Sequence, residues 1–227
     1  MNIIFRTCLI STLISAGALL MQASTIIAYS DPTGVGNQAF PGALGMDFNV
    51  NSAAGINVYS IGAYDSGQNG FVNSLTVSFY NLANTALPIY SMVIPSGTGG
   101  TLVGGDRFYS LSVPLFLAQG SYSIVAQGFS SSDPNGNSNP LGVGGNYGTL
   151  DTGGGLISFV GNSRWGLGSG FPTGSDYSVD KYGAGTFIYG SAAVQQQGSD
   201  TPEPGSAALM GGGLLLVGFW SRRFKKS

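Results

Sequence analysis

The sequence predicts an all-β fold: an antiparallel β-sandwich, jelly-roll-like, with an N-terminal signal-peptide helix and a short C-terminal transmembrane helix. Three observations lead there. Short runs alternate apolar and polar residues with period two, clusters of Gly, Pro, Asn and Asp separate those runs, and no stretch of the body sustains a helical apolar stripe over three turns. Composition agrees. Only 8% of the residues are charged and 38 are Gly, against about 25% charged in an ordinary soluble domain. Aromatic residues at 11%, with many Val, Ser and Thr, supply a core and argue against disorder.

The elements follow in chain order. Residues 1–28 read as a leader: Arg6, an apolar run over 8–21, then small residues, the three-part layout of a secretory signal peptide. Cleavage is expected after Ala23, Thr25 or Ala28. The single Cys8 lies inside this leader, so the body holds no disulfide, thiol nucleophile or Cys-based metal site.

The β-sandwich domain is expected over 29–190. In its clearest strand, Leu75, Val77 and Phe79 alternate with Thr76, Ser78 and Tyr80. Tyr122, Ile124 and Ala126 alternate with Ser123, Val125 and Gln127 in a second. Further strands are expected at 44–50, 56–64, 89–94, 107–113, 156–160 and 185–189. About eight short strands suit a jelly roll ahead of an immunoglobulin-like arrangement. Residues 130–155 are polar and glycine-rich and read as one long loop. Residues 191–200 read as a flexible stalk.

The last segment, 201–227, opens with Thr201-Pro202-Glu203-Pro204-Gly205-Ser206. A membrane segment is expected at 206–220. Its apolar part, 207–220, would span roughly 21 Å as helix, against about 30 Å of hydrocarbon. The basic cluster Arg222, Arg223, Lys225 and Lys226 would stay on the cytoplasmic side. Pro202 and Pro204 oppose helix upstream and leave an extended, protease-accessible stretch. Motif, short span and basic terminus in this order resemble the PEP-CTERM sorting signal of exopolysaccharide-producing bacteria. The usual form is Val-Pro-Glu-Pro-Ser; here Thr201 replaces Val, and Gly205 precedes Ser206. The resemblance covers the last 27 residues or so, and implies recognition by an exosortase at Pro202, Glu203 and Pro204 and removal of the tail. The stretches 36–50 (GNQAFPGALGMDFNV), 61–70 (IGAYDSGQNG) and 153–161 (GGGLISFVG) are similar to an exported β-sandwich family found beside this tail. That second resemblance supports the sandwich and adds no activity.

Several chemistries drop out. The chain has no His, which excludes Ser-His-Asp and Cys-His hydrolases and His-ligated metals. Between residues 24 and 200 three basic residues face nine Asp, a net charge of −6, which disfavours nucleic acid. Those Asp sit mostly in turns, where Asp has a structural task, so no enzyme is expected. Asp65-Ser66-Gly67-Gln68-Asn69-Gly70 resembles the first half of a calcium loop, with Asp65 and Asn69 as oxygen donors. The twelfth position is Thr76 rather than Glu, so a plain turn is the preferred reading; the same holds for the oxygen-rich run from Asp133. For glycan binding, Trp165, Tyr147 and Tyr177 are the candidate stacking rings in long loops, with a loop anchor tucked against the core as the preferred reading of Trp165 and Tyr147.

The expectation is therefore an exported, non-enzymatic protein with no resident cofactor. It would use the Sec translocon and an exosortase, pass through an inner-membrane intermediate by transient membrane insertion, and reach the cell surface or extracellular matrix. There it would play a structural or adhesive part with exopolysaccharide. The alternative is a carbohydrate-binding module with a defined glycan, using calcium in one version.

Overall fold

The computed structural model describes residues 25–138, 147–176, 179 and 181–192. Among them lie thirteen strands: β1 (Ile26–Ile27), β2 (Tyr29–Ser30), β3 (Ala43–Val50), β4 (Ile56–Tyr64), β5 (Leu75–Asn81), β6 (Tyr90–Ile94) and β7 (Thr101–Val103). The series continues with β8 (Asp106–Leu117), β9 (Gly120–Gln127), β10 (Thr149–Leu150), β11 (Ile157–Gly166), β12 (Gly174–Ser175) and β13 (Gly185–Ser191). Every strand pair is antiparallel. One sheet has five strands in the order β1-β13-β4-β8-β7, the other six in the order β12-β11-β3-β9-β5-β6, and β10 pairs with β2. The all-β, antiparallel, sandwich-like expectation holds. Among the described residues no helix is long and apolar enough to cross a membrane.

Period-two patterning assigns the faces. In β3, Leu44, Phe48 and Val50 enter the core while Asp47 takes the outer side; in β9, Tyr122, Ile124 and Ala126 point in. Five rings from four strands lock the two sheets together. Phe187 on β13 lies 5.0 Å from Phe48 on β3 and 5.2 Å from Phe79 on β5. Tyr122 stacks on Phe48 at 5.9 Å, and Tyr189 lies 5.4 Å from Phe187. Phe48, Phe79, Phe187 and Tyr189 are fully buried, and each such side chain contributes about 1.5–3 kcal/mol through burial.

All eight expected strands form, and two run longer than their sequence signals. The signal at 107–113 stops before Pro114, yet β8 continues to Leu117. Val58 pairs with Leu115 and Ser60 with Ser110, so residues 111–114 oppose Tyr59 alone. Pro114 sits inside this bulge, where its missing N–H costs no ladder bond. The signal at 156–160 stops before Gly161, yet β11 runs to Gly166. The register against β3 jumps between Phe159 and Ser163, and Gly161 adopts φ 65° in the gap, a conformation glycine accepts without strain.

Two boundaries move outward. Ile26 and Ile27 pair with Tyr189 and Ile188, and Ala28 is fully buried, its N–H donating to the Phe187 carbonyl at 2.9 Å. Ile26 and Ile27, which the 1–28 boundary gives to the leader, are thus strand residues, and Ala28 is bonded beside them. At the other end Ser191 still belongs to β13, and the first compact unit closes at Ala192. The rest of the expected leader and stalk, with the sorting motif, the 206–220 span and the basic cluster, lie outside the described residues.

Candidate functional site

The described domain carries three basic residues, and each is held by an aspartate. Arg107 on β8 reaches Asp65, just after β4: Nη2 lies 2.7 Å from Oδ2 and Nε donates to the same oxygen at 2.8 Å. Arg107 Nη1 also donates to the carbonyls of Thr98 (2.8 Å) and Gly99 (3.3 Å). The Gly70 N–H donates to the same carboxylate at 3.1 Å to Oδ1. Asp65 is fully buried and Arg107 is 5% exposed. On the outer face of the six-stranded sheet, Arg164 grips Asp47 with Nε at 2.7 Å and Nη2 at 2.6 Å. Its guanidinium lies 4.9 Å over the Phe171 ring, which meets Tyr80 edge-on at 5.2 Å. Lys181 lies 3.1 Å from Asp176, which also accepts the Tyr182 hydroxyl.

These contacts occupy the turn that carries Asp65 and Asn69. The Asp65 carboxylate turns inward to a guanidinium, whereas Asn69 is exposed. The segment Ser66–Gln68 forms a single 3₁₀ turn, with Gly67 at φ 74° and Gly70 at φ 85°. It is a structural turn anchored by an ion pair. Among the described residues no three His, Cys, Asp or Glu side chains gather in a way that could hold a metal ion.

The oxygen-rich run from Asp133 is likewise a fastener. The Asp133 carboxylate accepts the N–H groups of Val72 (2.7 Å) and Asn73 (2.9 Å). Asn135, fully buried, accepts from the Phe40 N–H through Oδ1 and donates through Nδ2 to Gln38 Oε1 and the Gly136 carbonyl. Asn137 receives the Asn37 side chain from the opposite segment, which accepts its N–H at 2.8 Å. Amide and carboxylate side chains therefore zip 36–40 and 72–73 onto 133–138, satisfying backbone groups that ladder bonds do not reach.

The three candidate glycan rings separate. Tyr147 is a plug. A Cβ at Gly136 would lie 2.0 Å from its ring and one at Gly183 would lie 2.7 Å away, so both glycines exist as a slot for it. Its edge meets Tyr64 at 5.8 Å and its hydroxyl donates to the Tyr64 hydroxyl at 3.3 Å, which donates onward to the Gly34 carbonyl at 2.8 Å. Burial pushes both phenols above the usual tyrosine range. Tyr147 is intermediate in exposure, and its contacts with Gly136, Gly183 and Tyr64 are those of a loop anchor. Trp165 belongs to strand β11 rather than to a loop, opposite Leu44 and Gly174. One side of its indole covers Gly174, where a Cβ would lie 2.7 Å from Cε2, and the residue remains 41% exposed. Tyr177 lies outside the described residues.

Beyond the end of β11 the chain forms one wall of an open cleft of about 270 Å³. Ser74, Thr76, Gln127 and Ser169 line it with hydroxyl and amide groups, Gly42 forms part of its floor, and Leu167 forms a lip. Among the described residues no charged side chain lines the cleft. Sequence reasoning missed both this cleft and the ion pairs. The one usable signal for the pairs was scarcity, since a nearly uncharged body seldom spends its few cations on solvent.

Comparison of the chain with family models, with curated proteins and with solved structures gives no match.

Proposed function

We propose that this chain is an exported, non-enzymatic surface protein, sorted by an exosortase and serving a structural or adhesive role among exopolysaccharides. Its route runs through the Sec translocon to an inner-membrane intermediate held by residues 206–220. Pro202, Glu203 and Pro204 are the recognition positions, and Arg222, Arg223, Lys225 and Lys226 hold the tail inside until cleavage. The observation that carries this reading is the order of the signals: an apolar leader, a β-rich body, and a Pro-Glu-Pro, span and basic-terminus series. The body supports it. Its three described cations are internally paired, leaving Ser, Thr, Asn and Gly to meet a hydrated, weakly charged matrix without strong salt dependence. The fold supports it too. The strand orders β1-β13-β4-β8 in one sheet and β3-β9-β5-β6 in the other suit a jelly-roll reading, with β11 and β12 added beside β3. Such double sheets recur in surface and lectin domains.

Substitution of the motif tests the sorting claim. With Pro202→Ala and Glu203→Ala together, the protein should accumulate in the inner-membrane fraction, while wild type reaches the surface. Equal surface delivery of both removes the exosortase step.

The second reading, a carbohydrate-binding module, draws on two separate observations, the uncharged cleft and the half-exposed Trp165, which does not line it. Neutral hydroxyl and amide linings with one exposed ring suit a sugar. A glycan array decides it: specific binding lost in Trp165→Ala or Gln127→Ala establishes the module, and a blank array leaves the structural role.

A further inference from the structure

We propose that β6 is a self-association edge, through which two copies of this chain join their six-stranded sheets into one continuous antiparallel sheet. Each sheet has two ends. In the five-stranded sheet these are β1, with two residues, and β7, with three; in the six-stranded sheet they are β12, with two, and β6, with five. Short end strands offer little to another chain, which is one common way of blunting an edge. β6 is the exception. It pairs with β5 alone, from Phe79↔Tyr90 to Leu75↔Ile94, so alternate residues turn their backbone N–H and C=O groups outward.

Four other guards are missing from it. The strand Tyr-Ser-Met-Val-Ile has no Lys, no inward charge and no internal Pro, and its pairing with β5 shows no bulge. On its outer face Ser91 is exposed and Val93 is 65% exposed, and Ile89 just before it is 45% exposed. Tyr90, Met92 and Ile94 face the core side. An incoming strand would thus find backbone partners along the edge, an apolar contact at Val93, and sheet continuity below.

A second copy is the occupant the charge pattern selects. The body is acidic, with a net of −6 between residues 24 and 200, so two copies repel through most orientations. Residues 66–105 contain no Asp, Glu, Lys or Arg, and they supply β5, β6, β7 and the connections between them. The open edge strand therefore lies within the uncharged run of the chain. A two-fold axis through the edge sets β6 against β6 in antiparallel register, the arrangement such pairing prefers, and each copy presents the same patch to the other. Pro88 and Pro95 bracket the strand and limit the added ladder to about this segment. The contact closes as a dimer, because the far end of the same sheet, β12, is too short to propagate it.

The test uses the full-length chain in mild detergent, its mass read by light scattering at roughly 100 µM, well above a micromolar Kd. Wild type should be dimeric. The pair Ser91→Lys with Val93→Lys should be monomeric, its Kd raised at least tenfold. Val113→Lys, at an equally exposed position on the other sheet, should remain dimeric. Circular dichroism melting confirms that each variant is folded. In a Cys8→Ser background, a mixture of Ser91→Cys and Val93→Cys chains should form disulfide-linked dimers on mild oxidation, while Val113→Cys should not. A monomeric wild type, a dimer indifferent to lysine on β6, or cross-linking at 113 but not at 91 and 93 would each overturn the proposal.

Discussion

Replacing Arg107 by Leu removes the counter-charge of a fully buried carboxylate. Asp65 and Arg107 have side-chain exposures of 1% and 6%, and they meet at 2.7 Å. In Arg107→Leu, Asp65 keeps the Gly70 N–H but loses both guanidinium contacts, and the carbonyls of Thr98 and Gly99 lose a donor. Breaking a buried pair by deleting one partner costs about 3–5 kcal/mol. For a domain of this size 1 kcal/mol shifts Tm by about 2–4 °C, so Tm should fall by roughly 6–20 °C. The double variant Asp65→Asn with Arg107→Leu removes the stranded charge and should recover at least half of that loss. Thermal melting of the 227-residue chain in mild detergent, followed by circular dichroism with and without millimolar calcium, reads all these quantities. Calcium should leave the wild-type Tm unchanged. A single variant melting within 2 °C or so of wild type, a double variant no better than the single one, or a calcium-dependent rise in the wild type would each refute the assignment of Asp65 to Arg107.

Two further outcomes follow from the same geometry. Burial raises the phenol pKa of Tyr64, Tyr147, Tyr182 and Tyr189, with Asp176 adding to it at Tyr182. The folded state therefore favours the neutral phenols: their contribution is intact below the unfolded tyrosine pKa of about 10 and is lost as pH rises beyond it. Melting temperatures should be flat from neutral pH to about 9.5 and fall steeply above it, and an absorbance titration that ionises every tyrosine near pH 10 without unfolding would contradict the burial. Cleavage of the leader should fall before Ile26, after Ala23 or Thr25, because a cut after Ala28 deletes β1 and leaves Tyr189 and Ile188 without their strand partners. N-terminal sequencing of the exported protein checks this, and a mature chain starting at Tyr29 would count against it.

The strands were legible because their signal is local. Alternation in 75–80 and 122–127 reports which face is buried without knowledge of the partner strand. Errors arose where local punctuation misled. Pro114 and Gly161 are breakers in sequence, yet both occupy bulges inside long strands. Nothing local reveals that Gly136 and Gly183, far apart in the chain, make a slot for the ring of Tyr147. Ion pairs were least visible: Arg164 meets Asp47 across 117 residues and Arg107 meets Asp65 across 42. The turn after β4 has the spacing of a cation loop, and only the long-range arrival of a guanidinium shows that its carboxylate is already neutralised.

The sorting claim rests on processing at both ends, and the intact mass of the native protein, measured in each cell fraction, reports both at once. The account predicts a surface or extracellular species that lacks the leader and residues 222–227, beside a heavier inner-membrane precursor. A single, unprocessed 227-residue product, dissolved in the cytoplasm, would contradict it.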